Sequence, residues 1–157
     1  MGHEVFYEAE GTRFVLLRDR LVVQYRAGQL THAAIDAAVD VLDNTLMTRE
    51  DTVGLMAIVD GSATLTSVEI QARQKMALRR LVDEADGWVC TVTLGDGVEA
   101  MSMAAVGYVL LLGHARVRHF QDVETAAVWL ASKLTDVTPV EIVRACETAQ
   151  ALADAAP

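Results

Sequence analysis

The stretch VGLMAIVDGSATLTSVEIQARQKMALRRL, from Val53 to Leu81, decides the fold. Val53 to Val59 is a nearly unbroken apolar run ending in Asp60, the pattern of a central strand covered on both faces. Gly61, Ser62, Ala63 and Thr64 then make a turn of small and hydroxyl side chains. A helix start follows: Thr66 and Glu69 have the spacing of a capping box, and Leu65 and Ile70 that of a hydrophobic staple, so the spacing predicts entry at Thr66. Ile70, Ala77, Leu78, Leu81 and Val82 form the inward stripe of that helix. In open α/β sheets the useful crevice lies at the carboxyl ends of the strands, where helix N-termini add positive potential. The loop after Asp60 is therefore the candidate working surface.

Outward from this unit, the preceding segments Val5–Glu8, Arg13–Arg18 and Leu21–Tyr25 read as short strands of an antiparallel hairpin section closed by Gly28. Thr31 can cap a helix in which Ala34, Ile35, Ala38, Val39, Leu42 and Leu46 recur at helical spacing, with Asp36, Asp40 and Asp43 on another face as a solvated acidic row. The basic residues Arg73, Lys75, Arg79 and Arg80 of the next helix gather positive charge in one place, and Glu69 is spaced to pair with Arg73.

Downstream, Gly87 ends the second helix and Trp88 to Leu94 is another apolar strand. Asp96 and Glu99 form a second capping box for a helix running to about Leu112, whose later half is apolar nearly all round and calls for cover by the fold, a ligand or another subunit. Ala115 to Phe120 is a short final strand, and Asp122 caps a helix carrying Val123, Ala126, Ala127, Leu130 and Leu134 inward with Trp129 beside them. Thr138, Pro139 and Glu141 open a last, alanine-rich helix with the thin stripe Ile142, Ala145, Ala149 and Leu152, suited to packing on the domain or on a partner. Strands alternating with helices imply a mostly parallel sheet with right-handed crossovers. The expectation is an α/β fold with a sheet of four to six strands: an α/β domain over residues 1–135 and a C-terminal helical extension of the same domain over 136–157.

Composition bounds the function. The chain's 157 residues and 52% hydrophobic content are enough for one self-sufficient core. A net charge of -9 argues against nucleic acid or an anionic membrane surface as partner, since both are held by clustered Lys and Arg. Cys90 and Cys146 have no metal-ligand or redox spacing and read as reduced core residues. The longest apolar run, Met103 to Leu112 broken by Gly107, is too short to span a bilayer, and no segment has signal-peptide order; a cytoplasmic protein is expected.

No catalytic constellation emerges. His3, His32, His114 and His119 show no zinc-ligand spacing, and Ser62 in GSATL lacks the second glycine of a nucleophile elbow. Gly95, Asp96 and Gly97 resemble a phosphate loop only without its further glycine and lysine. Asp60 and Asp96 could face each other as acid and base at neighbouring strand ends, yet turn and cap roles account for both. A non-enzymatic protein with no cofactor and no metal is expected.

The opening hairpin with Gly28, the strand LMAIVD with its hydroxyl-rich loop, and the segment ARVRHFQDVETAAVWL together resemble the STAS fold, in its SpoIIAA-like group of anti-sigma-factor antagonists, over about Arg13 to Leu134. The resemblance implies a regulatory module that binds protein partners and is switched by phosphorylation of a serine or threonine at the start of the second helix. Asp60 matches the aspartate ending the central strand, and Thr66 and Ser67 are the hydroxyls nearest the phosphosite. Thr66 replaces the aspartate that usually precedes that serine, and the following glycine is absent. Asp60, Ser62, Thr66 and Ser67 are thus the candidate switch or partner-binding loop, against the plainer reading of Thr66 as cap and Ser67 as a first-turn residue. Met101, Met103, Tyr108 and Leu111 are the candidate apolar interface of a homodimer or, alternatively, the lining of a small-molecule or lipid carrier's pocket.

Overall fold

The structure is a computed structural model and describes residues 2–9, 11–61, 63, 67–95 and 114–155. A single sheet carries six strands in sequence order: β1 His3–Ala9, β2 Thr12–Leu17, β3 Leu21–Arg26, β4 Gly54–Val59, β5 Trp88–Thr93 and β6 Val117–Phe120. The first three pair antiparallel as a meander; β3 through β6 pair parallel. The expected mixed, mostly parallel α/β sheet is what forms, with β1 and β6 at its margins. The register of β1 on β2 shifts between Val5 and Tyr7, a bulge of the kind that protects an edge strand from pairing further.

Four helices are described: α1 His32–Val41, α2 Val68–Arg79, α3 Val123–Lys133 and α4 Pro139–Ala155. The two-residue alternation of the strands divides them between the faces. Val15, Leu17, Leu21, Val23, Met56, Ile58, Cys90 and Val92 point to one face, where Ala126, Ala127 and Leu130 of α3 and Ile142, Ala145 and Ala149 of α4 cover them. Leu16, Val22, Leu55, Val89 and Val117 point to the other, under Leu42, Leu46, Leu81 and Val82, while Phe14 packs with Ala34, Ile35 and Ile70. Strand β4 is apolar on both faces for this reason. Its Gly54 is required by close approach: a Cβ there would lie 2.8 Å from the Trp88 carbonyl oxygen.

Both α1 and α2 end in a widened π turn, over Leu42–Leu46 and Arg80–Glu84, with Met47 and Ala85 amides donating to the Leu42 and Arg80 carbonyls at 2.8 and 3.2 Å. The widening lets the consecutive pair Leu81 and Val82 both face the core.

The last helix packs in cis. Its Ile142, Ala145 and Ala149 are fully buried against β2 and β3, so the choice left open between domain and partner falls to the domain; the side chain of Leu152 lies outside the described ones. Polar tethers reinforce the seat: the nearly buried Arg13 donates to the Thr148 carbonyl at 2.7 Å, His3 Nε2 sits 2.9 Å from Thr148 Oγ1, and Arg18 bonds Glu141. The capping box opening α4 forms as spaced, with Glu141 N–H to Thr138 Oγ1 at 3.2 Å and Thr138 N–H to Glu141 Oε1 at 3.1 Å. The caps at Thr31 and Asp122 form as well, accepting from the Ala34 and Thr125 amides at 3.2 and 2.7 Å.

Candidate functional site

The carboxyl ends of β3, β4 and β5 lie side by side, with Arg26, Val59 and Thr93 in register across them. Asp60 follows β4 and is fixed from both sides: its amide donates to the Arg26 carbonyl at 2.9 Å and its carbonyl accepts from the Ala63 amide at 3.0 Å. That turn buries Ala63 completely and brings Gly61 against the next loop, where an added Cβ would meet the Leu94 carbonyl oxygen at 3.4 Å. Gly95, at φ 88°, faces it. Two tight glycine turns therefore form this edge of the sheet.

Arg26 closes the row and was not among the residues singled out from sequence. It is almost buried, and loss of hydration pulls its pKa down to about 10. The available signal was a charged residue ending an otherwise apolar parallel strand. Thr93 Oγ1 is also buried, with no hydrogen-bond partner among the described residues.

The cap of α2 departs from the spacing argument by one residue. Ser67, not Thr66, is the N-cap: its backbone is extended (φ −63°, ψ 159°) and its Oγ accepts from the Ile70 amide at 3.3 Å. In a Thr-Ser pair either hydroxyl can cap, and the first-turn residue Ile70 is buried with Phe14 and Ile35. With Ser67 as cap, the third helical residue is Ile70 instead of Glu69, so the expected capping box is lost. Ser67 is exposed, as are Val68, Ala72 and Met76, which recur every four residues along the outer side of α2. Val68 at 80% and Met76 at 67% are among the most exposed large apolar side chains described. Among the predicted loop residues, the structure thus brings Asp60 and Ser67 to the same edge of the sheet, while Ser62 and Thr66 lie outside the described residues, as do Asp96, Met101, Met103, Tyr108 and Leu111.

Two residues of the acidic row pair with two of the basic row. Arg73 Nη2 reaches Asp36 Oδ1 at 2.5 Å and Arg80 Nη2 reaches Asp43 Oδ1 at 2.5 Å. The expected Glu69–Arg73 pair within α2 does not form: Arg73 is taken by α1, where it also lies 3.1 Å from His32 Nδ1. Identical seven-residue spacing on the two helices, 36 to 43 and 73 to 80, matches the two pairs.

Among the described residues no group of three His, Cys, Asp or Glu side chains could hold a metal. The histidines stand apart, His119 at 2.8 Å from Thr91 Oγ1, His114 at 3.3 Å from Asp83 and His3 against Thr148. Burial lowers the pKa of His119, which favours its neutral form. The two cysteines, remote in sequence, share one core cluster, and Cys146 Sγ lies 3.3 Å from Met56 Sδ. No helix among the described residues is long and apolar enough to cross a membrane. Comparison with known proteins finds no matching family model and no matching curated protein.

Proposed function

We propose that the protein is a non-catalytic interaction module resembling STAS-type regulators, which binds a partner protein along the outer side of α2. The observation that carries this reading is the stripe Val68, Ala72 and Met76, beginning directly after the Ser67 cap. Water around Val68 and Met76 is unfavourable, and a helix face of this width suits a partner's apolar groove or helix.

Ser67 is the switch in this reading. Its hydroxyl is exposed and sits where the free amides of the first helical turn and the helix dipole favour negative charge. A phosphate there adds charge and bulk beside Val68, and so opposes docking of an apolar partner surface. No cofactor takes part, and the expected site of action is the cytoplasm. A second copy of the chain is the other occupant compatible with the stripe.

Photo-cross-linking from position 76 in the native host tests the proposal. A discrete adduct is expected, weakened by Val68→Glu and by Ser67→Asp, both at exposed positions that leave the fold intact. An adduct of twice the 17.0 kDa chain mass identifies self-association. Absence of an adduct, or one that Val68→Glu leaves unchanged, overturns the assignment of this face.

A further inference from the structure

The margin of the sheet at β6 carries a second surface, remote from α2 in sequence and independent of the reading above. Alternation along β6 places Arg116, Arg118 and Phe120 on the face occupied by α3. There they meet Trp88, Trp129 and Lys133. Trp88 and Trp129 pack edge to face at 5.9 Å, and Phe120 lies 5.6 Å from Trp129. The cations sit on the rings: Arg116 is 4.7 Å and Lys133 4.8 Å from the Trp88 centroid, and Arg118 is 5.9 Å from that of Trp129.

This arrangement is unlike six of the nine other arginine sites. Arg13, Arg18, Arg20, Arg49, Arg73 and Arg80 each stand against a carboxylate. Arg116, Arg118 and Lys133 have no carboxylate within 4.0 Å among the described residues, although the chain's net charge is -9. Two cations share one indole, which concentrates like charge at one spot. Ring faces hold the side chains in place but do not neutralise them.

The strand beneath is paired on its β5 side alone among the described residues. β6 ends the strand order, and no described strand pairs with its outer side. Among the described residues no strand takes the backbone groups on that side, and an extended segment pairing there would drop alternate side chains on the cation–aromatic face at a repeat of about 6.6–6.8 Å.

We propose that the β6 margin docks an extended acidic segment of a partner protein, adding as a seventh strand with carboxylates directed at Arg116 and Arg118 and an apolar residue at Phe120 and Trp129. Charge complementarity selects this occupant. A generally acidic protein repels an acidic segment everywhere except where cations stand unneutralised. A second copy pairing β6 to β6 about a two-fold axis would bring two such cation clusters together, which is unfavourable.

The chain reports on its own surface, because its two tryptophans are Trp88 and Trp129. The blocked peptide ETETVTET is titrated into the full chain while tryptophan emission is followed. A saturable change is expected, absent with KTKTVTKT and weakened severalfold when salt is raised from about 0.05 M to about 0.5 M. Arg118→Gln with Lys133→Gln removes two charges and none of the hydrogen bonds described above. It is expected to weaken binding by about tenfold or more. Should the double variant unfold at lower urea than the parent, Arg118→Gln alone, at an exposed position, decides the matter. No saturable response, equal response to the basic peptide, unchanged affinity in the variant, or tighter binding of a short oligothymidylate overturns the proposal.

Discussion

Truncation of Ile142 to alanine is expected to destabilise the entire sheet, not α4 alone. Ile142 lies on α4 with no exposure to solvent, in one cluster with Leu17, Val23, Met56 and Leu130. Ile→Ala at such a site removes transfer free energy and leaves a cavity, at a cost of about 2–5 kcal/mol. With a urea m-value of about 2 kcal/mol/M for a domain of this size, the midpoint falls by roughly 1–2.5 M. The assay is equilibrium urea unfolding followed by tryptophan emission. Trp88 is on β5 and Trp129 on α3, so the signal moves only when loss of α4 packing is felt in the rest of the core. Val140→Ala, on the same helix but 58% exposed, serves as control and is expected to change stability by less than about 0.5 kcal/mol. The reasoning is refuted if Ile142→Ala shifts the tryptophan transition no more than Val140→Ala does, which would make α4 an appendage that unfolds separately.

Two further outcomes follow from titratable groups. The hydrogen bond from Arg18, together with the capping bonds from Thr138, holds the Glu141 carboxyl below its ordinary value of 4.5. The unfolded chain therefore binds this proton more readily than the folded one, so the stabilisation is complete above 4.5 and is lost as pH falls through the lowered folded value. Arg18→Gln is expected to reduce stability by no more than about 1 kcal/mol near neutrality, with the gap to the parent narrowing as thermal melts are repeated from about pH 5 downward; a gap that stays constant through that range contradicts the pairing. Burial pushes the Cys146 thiol up to about 12 and the Cys90 thiol well above its ordinary value. Both thiols are expected to resist Ellman's reagent at about pH 8 in the native protein and to react, two per chain, in denaturant; fast native reaction would contradict their burial.

Much of the architecture was legible in local patterns. The unbroken apolar run ending at Val59, the short strand-like runs of β2 and β3, and the caps at Thr31, Asp122 and Thr138 each encode their element through neighbours within four residues, and all six described strands form close to their expected positions. Side-chain periodicity of this kind is a property of the chain itself, so it can be read before any tertiary contact exists.

What needed the tertiary structure is whatever joins residues remote in sequence. Asp36 and Asp43 read as a solvated row and Arg73 as a partner of Glu69, yet adjacent packing of α1 and α2 pairs Asp36 with Arg73 and Asp43 with Arg80, because a carboxylate across the interface competes with the neighbour on the same helix. The capping-box spacing pointed to Thr66, yet Ser67 takes the cap, since in a Thr-Ser pair either hydroxyl satisfies the rule. Trp88, Arg116, Arg118 and Trp129 carry no shared motif; strand register and the crossing of α3 assemble them. The sequence by itself determined which residues turn inward on each element, through periods of two and three to four residues. Only the tertiary structure decided which elements those faces meet, because sheet order and helix placement set the distances between residues that the chain keeps far apart.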